Sequence, residues 1–226
     1  MKYRLLDLFS CAGGASMGYH LAGFEVVGVD ISKQPHYPFE FHQADALSFP
    51  LDDYDAYVAS PPCQRYSAGA KKWGTSMNHP DLIALIRERL LATGKPYVIE
   101  NIQPAESLLI DPILLCGTMF DLGVFRHRLF ESNIQLMAPH HEEPHKGRVG
   151  DGKYHTVTGH AGGSSTRDGW KGGSTADCKI AMQIDWMSGN ELAEAIPPAY
   201  TFHIGKQLME FLCQGKQVKN ILPFLL

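Results

Sequence analysis

Short apolar runs alternate with amphipathic stretches along the first hundred residues. Residues 3–9 are a compact apolar run ending in Ser10-Cys11-Ala12-Gly13-Gly14, and the helical stretch that follows closes at Gly23. Residues 25–31 (EVVGVDI), rich in β-branched side chains, predict a second strand. Residues 39–45 predict a third, residues 54–60 a fourth stopped by Pro61-Pro62, and residues 95–101 a fifth. Residues 80–93 predict an amphipathic helix, with Pro80 and Asp81 at its start and Gly94 at its end. Leu82, Ile83, Leu85, Ile86 and Leu90 form its apolar stripe. Strands alternating with helices mean βαβ units and a parallel sheet, hence an α/β fold. Ligands of such sheets bind beyond the carboxyl ends of the strands. Here those ends are Ser10–Gly14, Asp30, Asp45, Ser60–Cys63 and Glu100–Asn101.

The pattern changes after Phe130. Nine of the 22 glycines fall between Gly147 and Gly173, among few large apolar residues, so this stretch cannot build a core of its own. From Trp186 the chain becomes apolar and helical again. The expected organisation is an α/β unit over 1–130, a glycine-rich segment over 131–185 and a helical part over 186–226 that returns to the first unit.

Composition narrows the class. At 44% hydrophobic and 19% charged residues, with net charge -4, the 226-residue chain has ample material for a core and is not disordered. No apolar run approaches the ~18 residues of a membrane span. Asp7 interrupts the apolar stretch after Lys2 and Arg4, so the first residues do not read as a signal peptide. Five cysteines at irregular spacing, an odd count without a CxxC, argue against a disulfide framework or a zinc site and for a reducing cytoplasm. Basic residues gather on 65–73 and 146–179 over an otherwise acidic chain, which suits a polyanion held on one face.

Candidate chemistry sits at the strand ends. The adjacent glycines after the first strand do not fit a dinucleotide fingerprint, and suit a nucleoside-bearing cofactor without a pyrophosphate. Asp30 is placed to accept ribose hydroxyls. The two prolines before Cys63 stiffen the strand end and aim a partly exposed thiol out of the sheet. Glu100 closes the next strand toward the same crevice. Arg126-His127-Arg128 reads as a strand-like alternation with both guanidinium groups on one face. His140, His141 and His145 with Glu142 and Glu143 match no fixed ligand spacing; they read as a solvated loop, and no metal is expected. Cys116, Cys178 and Cys213 read as inert.

The motifs DLFSCAGG (7–14), EVVGVD (25–30), DALS (45–48), PPCQRYS (61–67), ENI (100–102), RHR (126–128) and AIPPAY (195–200) occur in the order of the cytosine-5 DNA methyltransferase family, which the chain resembles over nearly all but 131–180. The resemblance implies a Rossmann-like S-adenosylmethionine-dependent methyltransferase fold with a short inserted target-recognition segment. It implies Cys63 as the nucleophile toward C6 of a flipped-out cytosine, Glu100 at N3, Arg128 at O2, and Arg126 in support. S-adenosylmethionine would be held by Phe9 on the adenine, Asp30 on the ribose and Asp45 on the adenine amino group. Asp7, Cys11, Gly13, Gly14, Ile31, Ala46 and Pro61 would complete that pocket. Gln64, Ser67, Lys71, Lys72 and Asn101 would meet the base or DNA, and the loop 64–77, with Trp73, would close over it.

The chain departs from the family's pattern in lacking the Gln before the paired arginines and in having Asp30 for Glu. Ala193-Glu194 also stands in place of Gly-Asn, and the recognition segment is short. The expectation is methylation of C5 in double-stranded DNA by a monomer located in the cytoplasm, at the nucleoid through its DNA, with short or relaxed sequence specificity. The same chemistry on tRNA and a catalytically silent binding module are the alternatives.

Overall fold

The computed structural model describes residues 2–67, 72, 74, 78–149, 151–157, 174–215 and 218. Seven strands form one sheet: β1 (Arg4–Leu8), β2 (Glu25–Asp30), β3 (Glu40–Gln43), β4 (Ala56–Ala59), β5 (Tyr97–Asn101), β6 (Ile113–Leu115) and β7 (Arg128–Ser132). Their order is β3-β2-β1-β4-β5-β7-β6. β1 to β5 pair in parallel, and β7 runs antiparallel to both β5 and β6. The α/β class expected from the alternation is therefore the one observed. The strand order reverses between β1 and β4, the switch point where sheets of this kind bind ligands beyond the carboxyl ends.

Alternating side chains of the buried strands supply two apolar layers, as the two-residue period of a strand requires. Leu5, Val26, Val58 and Val98 face one side, where they belong to one core with Tyr19, Tyr200, Ile204 and Leu208. Those residues come from α1 (Gly14–Leu21) and from the last long helix (Pro198–Cys213). Leu6, Leu8, Val27, Val29 and Ile99 face the other side, with Ile83, Ile86 and Leu90 of α2 (Ile83–Ala92). Two shorter helices, α3 (Thr175–Met182) and α4 (Gly189–Glu194), precede α5, the helix Pro198–Cys213. Among the described residues no helix is long and apolar enough to cross a membrane.

α1 and α5 approach at a glycine. A Cβ on Gly18 would stand 2.0 Å from Thr201 Oγ1 and 2.2 Å from the Pro198 carbonyl oxygen. Thr201 Oγ1 in turn donates to the Ala15 carbonyl at 2.8 Å. This seats the AIPPAY segment against the start of α1, and so against the glycine turn after β1.

Three expectations change. The helix expected over 80–93 begins at Ile83, because the Asp81 carboxylate accepts the Tyr66 hydroxyl at 2.7 Å instead of starting the helix. The boundary expected at 130 falls inside β7: Glu131 is wholly buried and takes both Nε and an NH2 group of Arg87 at 2.6 Å. The alternation read into 126–128 is absent. Arg126 has a φ of 38° and lies before the strand, which starts at Arg128, so the two guanidinium groups do different work.

Candidate active site

Pro61-Pro62 carry the chain out of β4, and Cys63 leads into a 3-10 turn over Gln64–Tyr66, with the Tyr66 amide donating to the Cys63 carbonyl at 3.0 Å. The turn is anchored from behind. Tyr66 is buried with its hydroxyl on Asp81, and Arg65 donates to the His79 carbonyl at 3.0 Å. The half-buried thiol of Cys63 is pushed above its ordinary value by burial and then by the charge of Glu100, while Arg128 and Arg126 pull it down. Thiol, carboxylate and both guanidinium groups thus share one electrostatic neighbourhood.

Glu100, near the end of β5, is buried, and Arg128 Nε stands 3.0 Å from its Oε1. Burial raises the carboxyl above its usual range; Arg128, Arg126 and a hydrogen bond with Ser60 oppose that rise. A buried carboxyl tuned upward beside a fixed cation can hold a proton or a hydrogen bond on a ring nitrogen. Ser60 had no assigned role in the sequence reading, although it is the strand-end residue just before Pro61-Pro62.

Arg126 is a positioning residue. Its guanidinium donates to the carbonyls of Ala195 at 2.9 Å, Ala193 at 2.8 Å and Val157. It therefore joins the segment after β7 to the α4–α5 corner. Burial, then Arg128, lowers it to about 9. Tyr200 completes that corner, its hydroxyl donating to the Phe125 and Arg126 carbonyls at 3.2 and 3.0 Å. A tyrosine directly after Pro-Pro-Ala at the start of an apolar helix was its one visible signal.

Asn101, expected to meet the substrate, makes scaffold bonds. It is buried, its Nδ2 donates to the Pro61 carbonyl at 3.0 Å, and its Oδ1 accepts the Ile102 amide at 3.0 Å. It ties the end of β5 to the loop that carries Cys63. Gln64 and Lys72 are exposed, and Ser67 Oγ donates to the Gln64 carbonyl at 3.0 Å. Lys71 and Trp73 lie outside the described residues.

Around the first three strand ends the expected cofactor residues divide into two groups. Asp30 Oδ2 accepts the Cys11 amide at 3.0 Å and Oδ1 the Ser32 amide at 2.9 Å, and each oxygen keeps a lone pair for another donor. Asp45 is exposed, with Oδ1 on the Leu47 amide at 2.9 Å, and Ile31 is 71% exposed. Phe9, Cys11 and Gly13 all have positive φ, so the chain between β1 and α1 turns tightly, and Ser10 Oγ is buried there without a partner. Burial drives the Cys11 thiol well above its usual range, so it stays neutral.

The second group lies beneath. Asp7 is buried with Ser16 Oγ donating to it at 2.5 Å, and burial lifts its carboxyl to about 7. A Cβ on Gly14 would meet the Ile196 carbonyl at 2.6 Å, so that glycine serves helix packing. Ala46 and Pro61 are buried, their carbonyls held by Arg89 and Asn101. Asp7 and Gly14, expected to contact the cofactor, thus also support the turn from beneath.

Comparison with known proteins agrees with this arrangement. Residues 3–104 match the family described as C-5 cytosine-specific DNA methylase. The type II methyltransferase M1.HphI of Haemophilus parahaemolyticus is 32% identical over 124 residues, which are 45% of this chain and 33% of that protein. The chain thus spans about a third of the length of that curated relative. In fold it is similar to the Entamoeba histolytica methyltransferase EhMeth, with a TM-score of 0.61 at 13% identity, covering 94% of this chain and 99% of that one. It is also similar to the S. pombe Dnmt2 methyltransferase, with a TM-score of 0.57 at 12% identity and the same coverage. At such identities the structural likeness speaks for the fold alone. Residues 3–104, which carry the glycine turn, Asp30, Cys63 and Glu100, are thus similar to the C-5 cytosine-specific DNA methylase family over a little under half of the chain.

Proposed function

We infer that the protein methylates C5 of a cytosine in DNA, with Cys63 as the covalent nucleophile and S-adenosylmethionine as the methyl donor. The observation that carries this reading is the placement of the Cys63 thiol in the field of the Glu100–Arg128 pair. C5 of cytosine is too poor a nucleophile to take a methyl group unaided. Addition of the Cys63 sulfur to C6, with Glu100 offsetting charge at N3, turns C5 into an enamine carbon. Arg128, held by Glu100 and by its bond to the His127 carbonyl at 2.9 Å, would bond the base oxygen. After methylation the C5 proton leaves to solvent, the C6–sulfur bond breaks and the ring double bond returns.

The resting thiol is neutral, because burial and Glu100 both hold its proton. Binding of the base turns the Glu100 carboxyl toward a ring nitrogen, which lowers its effective negative charge and eases release of the thiol proton. C6 is inaccessible inside a duplex, so the base must be everted into this crevice.

The donor-side residues fit a nucleoside sulfonium. Asp30 keeps acceptor capacity for ribose hydroxyls, exposed Asp45 suits an exocyclic amino group, and the open apolar surface of Ile31 suits a purine face. The unpartnered Ser10 Oγ lies in the turn between them. When bound there, S-adenosylmethionine supplies an electrophilic methyl group on sulfur. We further infer a short or relaxed target sequence, since the segment after β7 offers few large side chains for reading base edges.

The test is a duplex oligonucleotide carrying 5-fluorocytosine, incubated with protein and S-adenosylmethionine. A denaturant-stable adduct that maps to Cys63 and is absent from Cys63→Ala supports the reading. A noncovalent complex, or an adduct at another residue, overturns it. Competition between duplex DNA and tRNA for labelled methyl transfer separates the two nucleic acids. Base-resolution mapping of 5-methylcytosine in treated plasmid reads the target length, and modification confined to one long site would refute relaxed specificity.

A further inference from the structure

Four side chains that the reaction does not use converge at the edge of the sheet. They are Cys116, just after β6, His127, between the two arginines, and His141 and His145, on the segment that leaves β7. One ligand-type atom from each lies within 4.8 Å of all the others. Cys116 Sγ is 3.1 Å from His145 Nε2, and that nitrogen is 3.3 Å from His141 Nε2. Tetrahedral zinc with bonds of about 2.0–2.1 Å to nitrogen and 2.3 Å to sulfur spaces its ligand atoms roughly 3.3–3.6 Å apart. Those two separations are close to that spacing, and the remaining ones are within 4.8 Å.

Two further observations point to an ion rather than to side-chain packing alone. His127 Nε2 is buried with no hydrogen-bond partner. An imidazole nitrogen left so is costly, and a metal would satisfy it. His141 presents Nε2 to the cluster and Nδ1 to Glu143, whose Oε1 is 3.7 Å away. At that distance the carboxylate is an ion-pair neighbour of the far ring nitrogen, one short shift from the hydrogen bond that orients a ligating histidine. Phe125 also buttresses the group, its ring 4.4 Å from that of His145 and stacked at 4.5 Å on Tyr154. The expectation that these histidines form a solvated loop is therefore revised: His140, Glu142 and Glu143 are exposed, whereas His141 and His145 turn inward.

We propose that Cys116, His127, His141 and His145 bind one zinc ion in a closed structural site. Four protein ligands leave no open position for water or substrate, so the ion takes no part in the methyl transfer. The site clips the root of the inserted segment to the turn that carries Arg126 and Arg128. One ligand comes from that turn, one from the end of β6 and two from the root of the segment. A thiolate with three imidazoles favours zinc over magnesium or calcium, which prefer oxygen.

The test uses the full chain without an affinity tag, expressed with added zinc and analysed by elemental mass spectrometry. The expected result is about one zinc per chain, falling to a small fraction in Cys116→Ser and in His145→Ala. Should those variants fail to fold, wild-type protein stripped with chelator and titrated with cobalt(II) provides the second readout. A thiolate-to-cobalt charge-transfer band and tetrahedral visible absorption, with a melting temperature raised by the metal, support the site. Background zinc together with no cobalt band overturns it, as a purely hydrogen-bonded thiol–imidazole cluster would require. None of these readings depends on methyltransferase activity, so the site and the proposed reaction can fail separately.

Discussion

Arg128 Nε lies 3.0 Å from Glu100 Oε1, and both side chains are largely withdrawn from solvent, so the two groups proposed to meet the base hold each other in place. The same carboxylate raises the Cys63 thiol. Glu100→Gln should therefore act in two directions. Methyl transfer should fall by roughly 10²–10⁴-fold, as for loss of a positioned acid. Alkylation of Cys63 by iodoacetamide near neutral pH, followed by peptide mass mapping to separate it from exposed Cys213, should become faster. An unchanged alkylation rate would break the electrostatic link between the two residues.

Asp7 makes stability depend on pH. Its carboxyl titrates near 7 when folded against 3.8 as the reference value, because burial disfavours the charge. The stabilisation is complete below about pH 4 and is lost as pH rises toward 7, where the unfolded chain has released a proton that the folded chain keeps. Asp7→Asn, which still accepts from Ser16, should flatten that slope. Melting temperatures of both proteins at pH 4.5 and 7.5, about the ends of this window, measure it.

The close crossing of α1 and α5 should fail with one methyl group. Gly18→Ala places a carbon 2.0 Å from Thr201 Oγ1 and 2.6 Å from the Phe202 backbone nitrogen. Backbone cannot yield there as a flexible side chain would, so a loss of about 1–3 kcal/mol or more is expected in urea unfolding. Gly94→Ala is the informative contrast. No atom stands within 4 Å of its would-be Cβ, so only the strain of its φ of 65° opposes the change, and the loss should be smaller.

Glu131 anchors α2 to the sheet. It accepts from Arg87, from the Tyr97 hydroxyl at 2.9 Å and from the Ile110 amide at 2.9 Å. Arg87→Ala leaves that buried carboxylate without its cation, and should cost about 3–5 kcal/mol by denaturant unfolding. Arg87→Ala combined with Glu131→Gln should recover part of the loss, because the stranded charge is then gone.

The strand–helix alternation and the strand-end positions of Cys63 and Glu100 were readable in the chain, because the two-residue and 3.6-residue periods are local properties. So were Asp30 and Asp45, which close short β-branched or aromatic runs. Other assignments required knowledge of neighbours. Nothing near Gly14 in sequence announces the Ile196 carbonyl, and nothing near Asn101 announces Pro61, so the packing work of both residues was not legible in the chain. Arg126 and Arg128 look alike along the chain, but Arg126 has a positive φ and its guanidinium goes to three carbonyls of two other segments, Val157 and the pair Ala193 and Ala195.

Cys116, His127 and the pair His141 and His145 stand 11, 14 and 4 residues apart in turn, and only the last interval resembles a ligand spacing. Their meeting depends on β6 and β7 pairing antiparallel, which brings Leu115 beside Arg128. The chain by itself thus determined which chemical groups end each strand, since periodicity and turn residues act over a few positions. Only the tertiary structure decided which of those groups share a dielectric environment and a partner, because burial and contact are set by segments far apart in the chain.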